Sequence, residues 1–182
     1  GTNNLILASI RQNVKKVVCL SSDKAVAPSN CMGMTKGISE RLVRSSIHPS
    51  SMTEIVCVRL GNVLGSRGSV IPLWKKQIKE YGKITVTNEQ MTRFIMTYDD
   101  VFQLLNHAFN FGKNGEIIVS NMKACNIMDL AKTVCHNFGL ESDKAILITG
   151  ARPGEKLYEE LFSQEELPLV YQNNTYYHIG FV

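Results

Sequence analysis

Short, unbroken apolar runs alternate along this chain with stretches of helical spacing, and that alternation limits it to one kind of architecture. Val17-Val18-Cys19-Leu20, Ile55-Val56-Cys57-Val58 and Ile117-Ile118-Val119 carry no polar interruption, the pattern of strands covered on both faces. Residues 33–47 read as a helix with Ile38 and Leu42 on its apolar face and His48-Pro49 as its stop. Residues 4–10 read as the end of an earlier helix. Residues 70–81 read as a further helix, with Pro72 in its first turn, where a missing N–H does no harm. Thr97 and Asp100 resemble a capping box ahead of Val101, Leu104, Leu105, Ala108 and Phe109. Asn126 is placed to cap a helix running to Phe138, with Gly139 as its stop. Ile84-Thr85-Val86, Phe94-Ile95-Met96 and Ile146-Leu147-Ile148 read as short strands, and residues 155–162 as a short helix. Strands alternating with helices predict an α/β fold with a parallel, doubly wound sheet.

In such sheets ligands bind beyond the carboxyl ends of the strands. The loops after Leu20 and after Leu60 are therefore where chemistry is expected. The glycine-rich strand–turn–helix that opens a dinucleotide fold is not found, and Gly65-Ser66-Arg67-Gly68 has the wrong spacing to replace it. The chain also starts at Gly1 without an initiator Met or a basic leader, which raises the expectation of a fragment.

Composition removes other classes. The 182 residues are 44% hydrophobic and 20% charged, with net charge +4. No apolar run approaches the roughly 18 residues of a membrane span. Lys and Arg are scattered, so the chain lacks the charged stripe of a nucleic-acid binder. The five cysteines are an odd number without a C-x-x-C pair; Cys19 and Cys57 fall in apolar runs as small core residues. A reduced, cytoplasmic compartment fits that usage. His48, His107, His136 and His178 have no metal-ligand spacing, and no metal is expected. His107 and His136 read as surface or interface residues of helices, and Trp74 as part of a helix's apolar face.

Five clusters could do chemistry. Ser21-Ser22-Asp23-Lys24 follows a buried strand, and an acid beside a base there can move protons in both directions; the bland reading is a polar loop with an incidental ion pair. Met32-Gly33-Met34-Thr35-Lys36 brings Lys36 to the start of the next helix, where a lone Lys is ordinarily a solvated residue. Residues 59–72 combine Leu60-Gly61-Asn62, glycines that let backbone approach a ligand, and the helix start at Ser69-Val70, a natural anion site; a plain glycine-rich connection explains them equally well. Met91-Thr92-Arg93-Phe94 and Gly150 to Lys156 each put an Arg in a loop ahead of an ordered element. Two guanidinium groups on one diphosphate would be strong recognition, and Glu155 could accept from sugar hydroxyls.

Taken together and in this order, these boxes resemble the nucleotide-sugar 4,6-dehydratases, extended short-chain dehydrogenase/reductases of bacterial polysaccharide biosynthesis. The likeness covers nearly the whole chain. Within that family it is most similar to enzymes acting on UDP-N-acetylglucosamine for capsule or O-antigen sugars, some of which also epimerise C5. The resemblance implies a Rossmann-like sheet lacking its first βαβ units, with residues 1–70 ending that domain and 71–182 mainly forming a small α/β nucleotide-sugar subdomain, some elements returning to the sheet. It implies NAD (or NADP) as cofactor, a UDP-sugar as substrate, a homo-oligomer, and a longer enzyme of which these residues alone are inactive and bind NAD poorly. An upstream membrane anchor is compatible with the family.

The same resemblance assigns roles. Lys24 removes the C5 proton and Asp23 protonates the departing 6-hydroxyl. Lys36 holds the nicotinamide ribose, with Ser21, Leu60, Gly61 and Asn62 at the cofactor. Asn62, Ser69, Val70, Arg93, Arg152 and Glu155 contact the nucleotide sugar. Met32 stands where the family's usual Tyr would be, and it has no acidic proton; Ser22, backed by Lys36, is the expected substitute. Competing readings are a 4-epimerase, which shares the fold without needing the Asp23–Lys24 pair, and a non-catalytic domain that binds only nucleotide sugar or a partner.

Overall fold

The computed structural model describes residues 1–47 and 51–180. In chain order its elements are α1 (Thr2–Arg11), β1 (Lys16–Ser22), α2 (Cys31–Ser45), β2 (Glu54–Leu60), β3 (Asn62–Val63), α3 (Val70–Tyr81), β4 (Ile84–Val86), β5 (Thr92–Met96), α4 (Tyr98–Phe111), β6 (Ile117–Ser120), β7 (Lys123–Asn126), α5 (Ile127–Asn137), α6 (Ser142–Ala145), β8 (Ile146–Ile148), β9 (Val170–Asn173) and β10 (Tyr176–Ile179). They fall into two compact units. The first takes Gly1–Leu60, Tyr98–Asn121 and Glu160–Val182, and the second takes Gly61–Thr97 and Met122–Glu159.

The first unit is built on a five-stranded sheet of order β1-β2-β6-β10-β9. β1, β2 and β6 run parallel, as the alternation predicts, and β10 and β9 add an antiparallel hairpin. Helices α2 and α4 pack on this sheet, and α1 packs on α2. The apolar run of β2 is buried, with Ile55, Val56 and Val58 at 0% exposure. β1 is the end strand of the described sheet, and its Leu20 is half exposed instead of buried as the sequence suggests. Cys19 and Cys57 are buried, and burial pushes both thiols above their ordinary range.

Helix α2 departs from its sequence reading in two ways. It begins at Cys31, because the Asn30 side chain accepts from Gly33 N at 2.9 Å and caps it. Its buried face carries Gly33, Glu40 and Val43, while Ile38 is exposed. A buried ion pair sets that face: Arg59 of β2 grips Glu40 through two hydrogen bonds, and small Gly33 lets the first turn come close. The His48-Pro49 stop lies outside the described residues.

The second unit has a three-stranded sheet, β3-β5-β7, and a parallel pair, β4-β8. Its core gathers Trp74, Ile84, Val86, Met91, Ala131 and Cys135. Trp74 is fully buried on the apolar face of α3, and its indole N–H donates to Thr85 O at 2.8 Å. Asn126 caps α5 as expected, accepting from Met128 N and Asp129 N, and Gly139 follows the helix at φ +68°. The helix expected over 155–162 does not form. The Leu157 carbonyl, which would accept from Leu161 N in that helix, accepts from Thr92 N instead.

His107 is buried, contrary to the surface reading. Its Nε2 lies 2.9 Å from His178 Nε2, and His178 Nδ1 lies 2.9 Å from Glu116 Oε2. Tyr171 donates to the other oxygen of Glu116, and Tyr176 stacks on His107. This cluster joins α4, the start of β6 and the β9–β10 hairpin. Burial, and after it the His178 ring, holds His107 below its ordinary 6.5. Burial alone would raise Glu116, but hydrogen bonds from His178 and Tyr171 outweigh it and keep its carboxyl below the usual range. Between the lowered folded value and 6.5 the unfolded chain binds more protons at His107, so stability falls as pH drops below 6.5. Melting temperature measured on the intact protein from pH 7.5 downward is expected to decline through this range. In His107→Gln the decline should be shallower.

Candidate active site

In the first unit the site begins where β1 ends. The strand runs to Ser22, and a 3-10 turn over Asp23–Ala25 follows, capped by Ser22 Oγ, which accepts from Lys24 N at 3.3 Å. This turn aligns three consecutive side chains. Lys24 Nζ lies 2.9 Å from Asp23 Oδ1, and Ser22 Oγ donates to the same oxygen at 2.9 Å. Asp23 is fully buried while Lys24 is 23% exposed. Asp23 Oδ2 and the neighbouring Ser21 Oγ are buried without a hydrogen-bond partner among the described residues. A buried carboxylate with one oxygen paired to an ammonium and the other unused can take and give protons beside a base that solvent reaches.

Lys36 stands on the next element. From the second turn of α2 it donates to Leu20 O at 3.0 Å, at the same end of β1. Ser22 is hydrogen-bonded to Asp23, and Lys36 to the Leu20 carbonyl. Met32 lies one turn before Lys36 and is 47% exposed. Gly33 fixes the approach of α2. A Cβ at this position would come within 2.3 Å of Lys24 O, so only glycine lets the helix seat against the backbone that carries the acid/base pair.

The second unit holds the other expected residues. Asn62 is in β3, paired with Ile95 of β5. Gly61 is tightly packed; a Cβ there would meet Met122 Sδ at 2.7 Å and Phe94 O at 2.9 Å. Ser69 precedes α3, and its Oγ is buried without a hydrogen-bond partner among the described residues. Arg93 is within β5, not in a loop before it, and is 8% exposed. Its Nη1 donates to Thr92 O at 2.7 Å and Leu157 O at 3.3 Å, and its Nη2 lies 3.7 Å from Glu155 Oε1. Glu155 also accepts from Thr87 Oγ1 at 3.3 Å and from Arg152 N at 3.2 Å. Arg152 itself is exposed in this loop. Glu155 thus ties its own loop, at the Arg152 main-chain N–H, to the Arg93 guanidinium.

Three participants escape the sequence reading: Glu40, Glu166 and Thr87. Glu40 was within reach, since an acid seven residues after Gly33 shares its helix face. Thr87 and Glu166 offer no local signal; Glu166 meets Arg59 across 107 residues. Among the described residues no group of three or more His, Cys, Asp and Glu could hold a metal, and no helix is long and apolar enough to cross a membrane.

The chain matches the polysaccharide biosynthesis protein family over residues 1–180, and it belongs to that family. The resemblance drawn from its motifs is borne out. It is 47% identical over 169 residues to the capsular polysaccharide biosynthesis protein CapD of Staphylococcus aureus, covering 92% of this chain and 28% of that protein. It is 43% identical over 181 residues to a UDP-glucose 4-epimerase of Rickettsia canadensis, covering 98% of this chain and 52% of the relative. The solved structure of Pen from Bacillus thuringiensis superposes with a TM-score of 0.92 at 42% identity, covering 98% of this chain and 57% of that one. The chain therefore spans about half or less of the length of these relatives.

The glycine contacts give a paired test. Gly33→Ala forces a methyl into the Lys24 carbonyl and is expected to cost about 1–3 kcal/mol. Gly37→Ala, whose Cβ would meet Ala25 O at an ordinary 3.5 Å, is expected to be neutral or to gain up to about 1 kcal/mol of helix propensity. Denaturant melts of both variants of the intact protein check the contrast.

Proposed function

We propose that the intact protein carries out an internal redox dehydration of a UDP-linked N-acetylhexosamine, such as UDP-N-acetylglucosamine, giving a 4-keto-6-deoxy sugar in polysaccharide biosynthesis. The observation that carries this reading is the Asp23–Lys24 pair at the end of β1, with Asp23 fully buried and its second oxygen without a hydrogen-bond partner among the described residues. Moving one proton from Nζ to the carboxylate turns that ion pair into a neutral amine and a carboxylic acid, the two species an elimination needs.

NAD, when bound, supplies oxidation at C4 and reduction at C6. The residues present fit its nicotinamide end: Lys36 donates to Leu20 O at the end of β1, and the hydroxyl of the next residue, Ser21, has no hydrogen-bond partner among the described residues. A 4-keto group acidifies H5. Lys24 then takes the C5 proton, Asp23 gives its proton to the 6-hydroxyl, water leaves, and Lys24 returns the proton to C5 as C6 is reduced. Ser22, hydrogen-bonded to Asp23 Oδ1, is the group assigned to the 4-hydroxyl in place of the phenol that Met32 lacks. Arg93 and Arg152 are assigned to the diphosphate, Asn62, Ser69 and Val70 to the nucleotide sugar, and Leu60 and Gly61 to the cofactor. Glu155 is assigned to hold the two arginine segments as well as sugar hydroxyls.

A 4-epimerase is the second reading, favoured by the name of the Rickettsia relative. Product mass separates the two, because dehydration loses 18 Da, the mass of one water, and epimerisation loses none. Incubating the intact protein with UDP-N-acetylglucosamine is expected to give the lighter product. Lys24→Met and Asp23→Asn should each lower its formation at least about 100-fold, the usual scale of a lost general acid or base. An unchanged mass, with C4 inverted and both variants active, would replace dehydration by epimerisation.

A further inference from the structure

Lys36 can serve a cofactor only if α2 is held at one rotation and one height over the sheet, and the residue that holds it has no assigned part in the chemistry. We propose that Arg59 is a positioning residue, fixing Lys36 through Glu40. This rests on the reading of Lys36 given above.

The geometry is specific. Arg59 is 2% exposed, and all five of its N–H donors are used. Nε and Nη2 donate to the two oxygens of Glu40 at 2.8 and 2.7 Å. Nη1 and Nη2 donate to the two oxygens of Glu166 at 2.9 and 2.6 Å, and Nη1 also donates to Leu161 O at 2.8 Å. A planar fork engaged on both edges fixes the direction of each carboxylate as well as its distance. Glu40 lies one turn after Lys36 on α2, so the two side chains share a face. On the sheet, Arg59 pairs in register with Ser21, and Lys36 donates to Leu20 O. The two contacts of α2 therefore fall on adjacent rungs of the β1–β2 ladder. Gly33 fixes the helix start against Lys24 O, Glu40 fixes its third turn, and Lys36 lies between these points.

Stability alone is a poor reason for this arrangement. Arg44 lies close enough to interact with both carboxylates, so the cluster sets two guanidinium groups against two acids, and apolar residues of similar volume often hold elements together as well or better. What the fork adds is a defined helix rotation, which a lysine four residues away converts into a defined ammonium position. A lysine at position 59 would keep the charge and lose the fork.

The test is a double-mutant cycle on the intact protein, read by NADH fluorescence titration, with UDP titrated separately. Lys36→Ala and Arg59→Lys are each expected to weaken NADH binding about tenfold, with the double variant no weaker than Lys36→Ala alone. UDP affinity should stay unchanged. Independent losses that multiply to about 100-fold in the double variant overturn the positioning role. So does a lowered melting temperature with normal NADH affinity in the folded protein, which is what a merely structural Arg59 would give. Normal NADH binding by Lys36→Ala instead defeats the reading of Lys36, and the positioning role with it. Should Arg59→Lys fail to fold, Glu40→Gln replaces it in the same cycle with the same outcomes.

Discussion

One buried guanidinium governs how the first unit is assembled. Arg59 sits at the end of β2 with Glu40 on one edge and Glu166 on the other. Removing Arg59 strands two carboxylates in a desolvated place, at a cost of about 3–5 kcal/mol. Its hold on Glu166 shows in that carboxyl. Burial alone would raise that carboxyl, yet the hydrogen bonds from Arg59 and Ser163 keep it below the usual carboxylate range. The consequence reaches the sequence: α2 buries Glu40 and leaves Ile38 exposed, an inversion that apolar spacing alone would never produce.

The acid/base turn depends on the same economy of space. Asp23, Lys24 and Ser22 are sequence neighbours, so a single 3-10 turn brings them together without long-range help. Holding that turn still is the harder requirement. It is met by backbone, through Gly33 pressed on the Lys24 carbonyl, and not by a side chain that a substitution could tune. The second unit solves a similar problem differently. Glu155 links its own loop to Thr87 and Arg93, so an acid anchors segments that are far apart in the chain.

Much of this was legible in the order of residues. The parallel strands, α3, the Asn126 cap and the buried Trp74 follow from period and capping chemistry, which are local. The Asp23–Lys24 pair was legible for the same reason, since contact between neighbours needs no fold to predict it. What failed was long-range. The segment 155–162 has helical composition, but Thr92 N claims the Leu157 carbonyl that its first turn would use. His107 looked like a surface residue because its partners, Glu116 and His178, come from a strand start and a distant hairpin. Polar residues on inward faces are hidden from pattern reading whenever their partner is remote in sequence, as Glu40 is from Arg59.

The placement of Trp74 has a spectroscopic consequence. It is the chain's one tryptophan, and it lies at the centre of the second unit's core with its indole N–H bonded to Thr85 O. Light absorbed at the red edge of the indole band therefore reports on that core and is blind to the one around Ile55 and Val58. Circular dichroism, in contrast, registers the helices of both units, so the two signals weigh the halves of this chain differently as it unfolds.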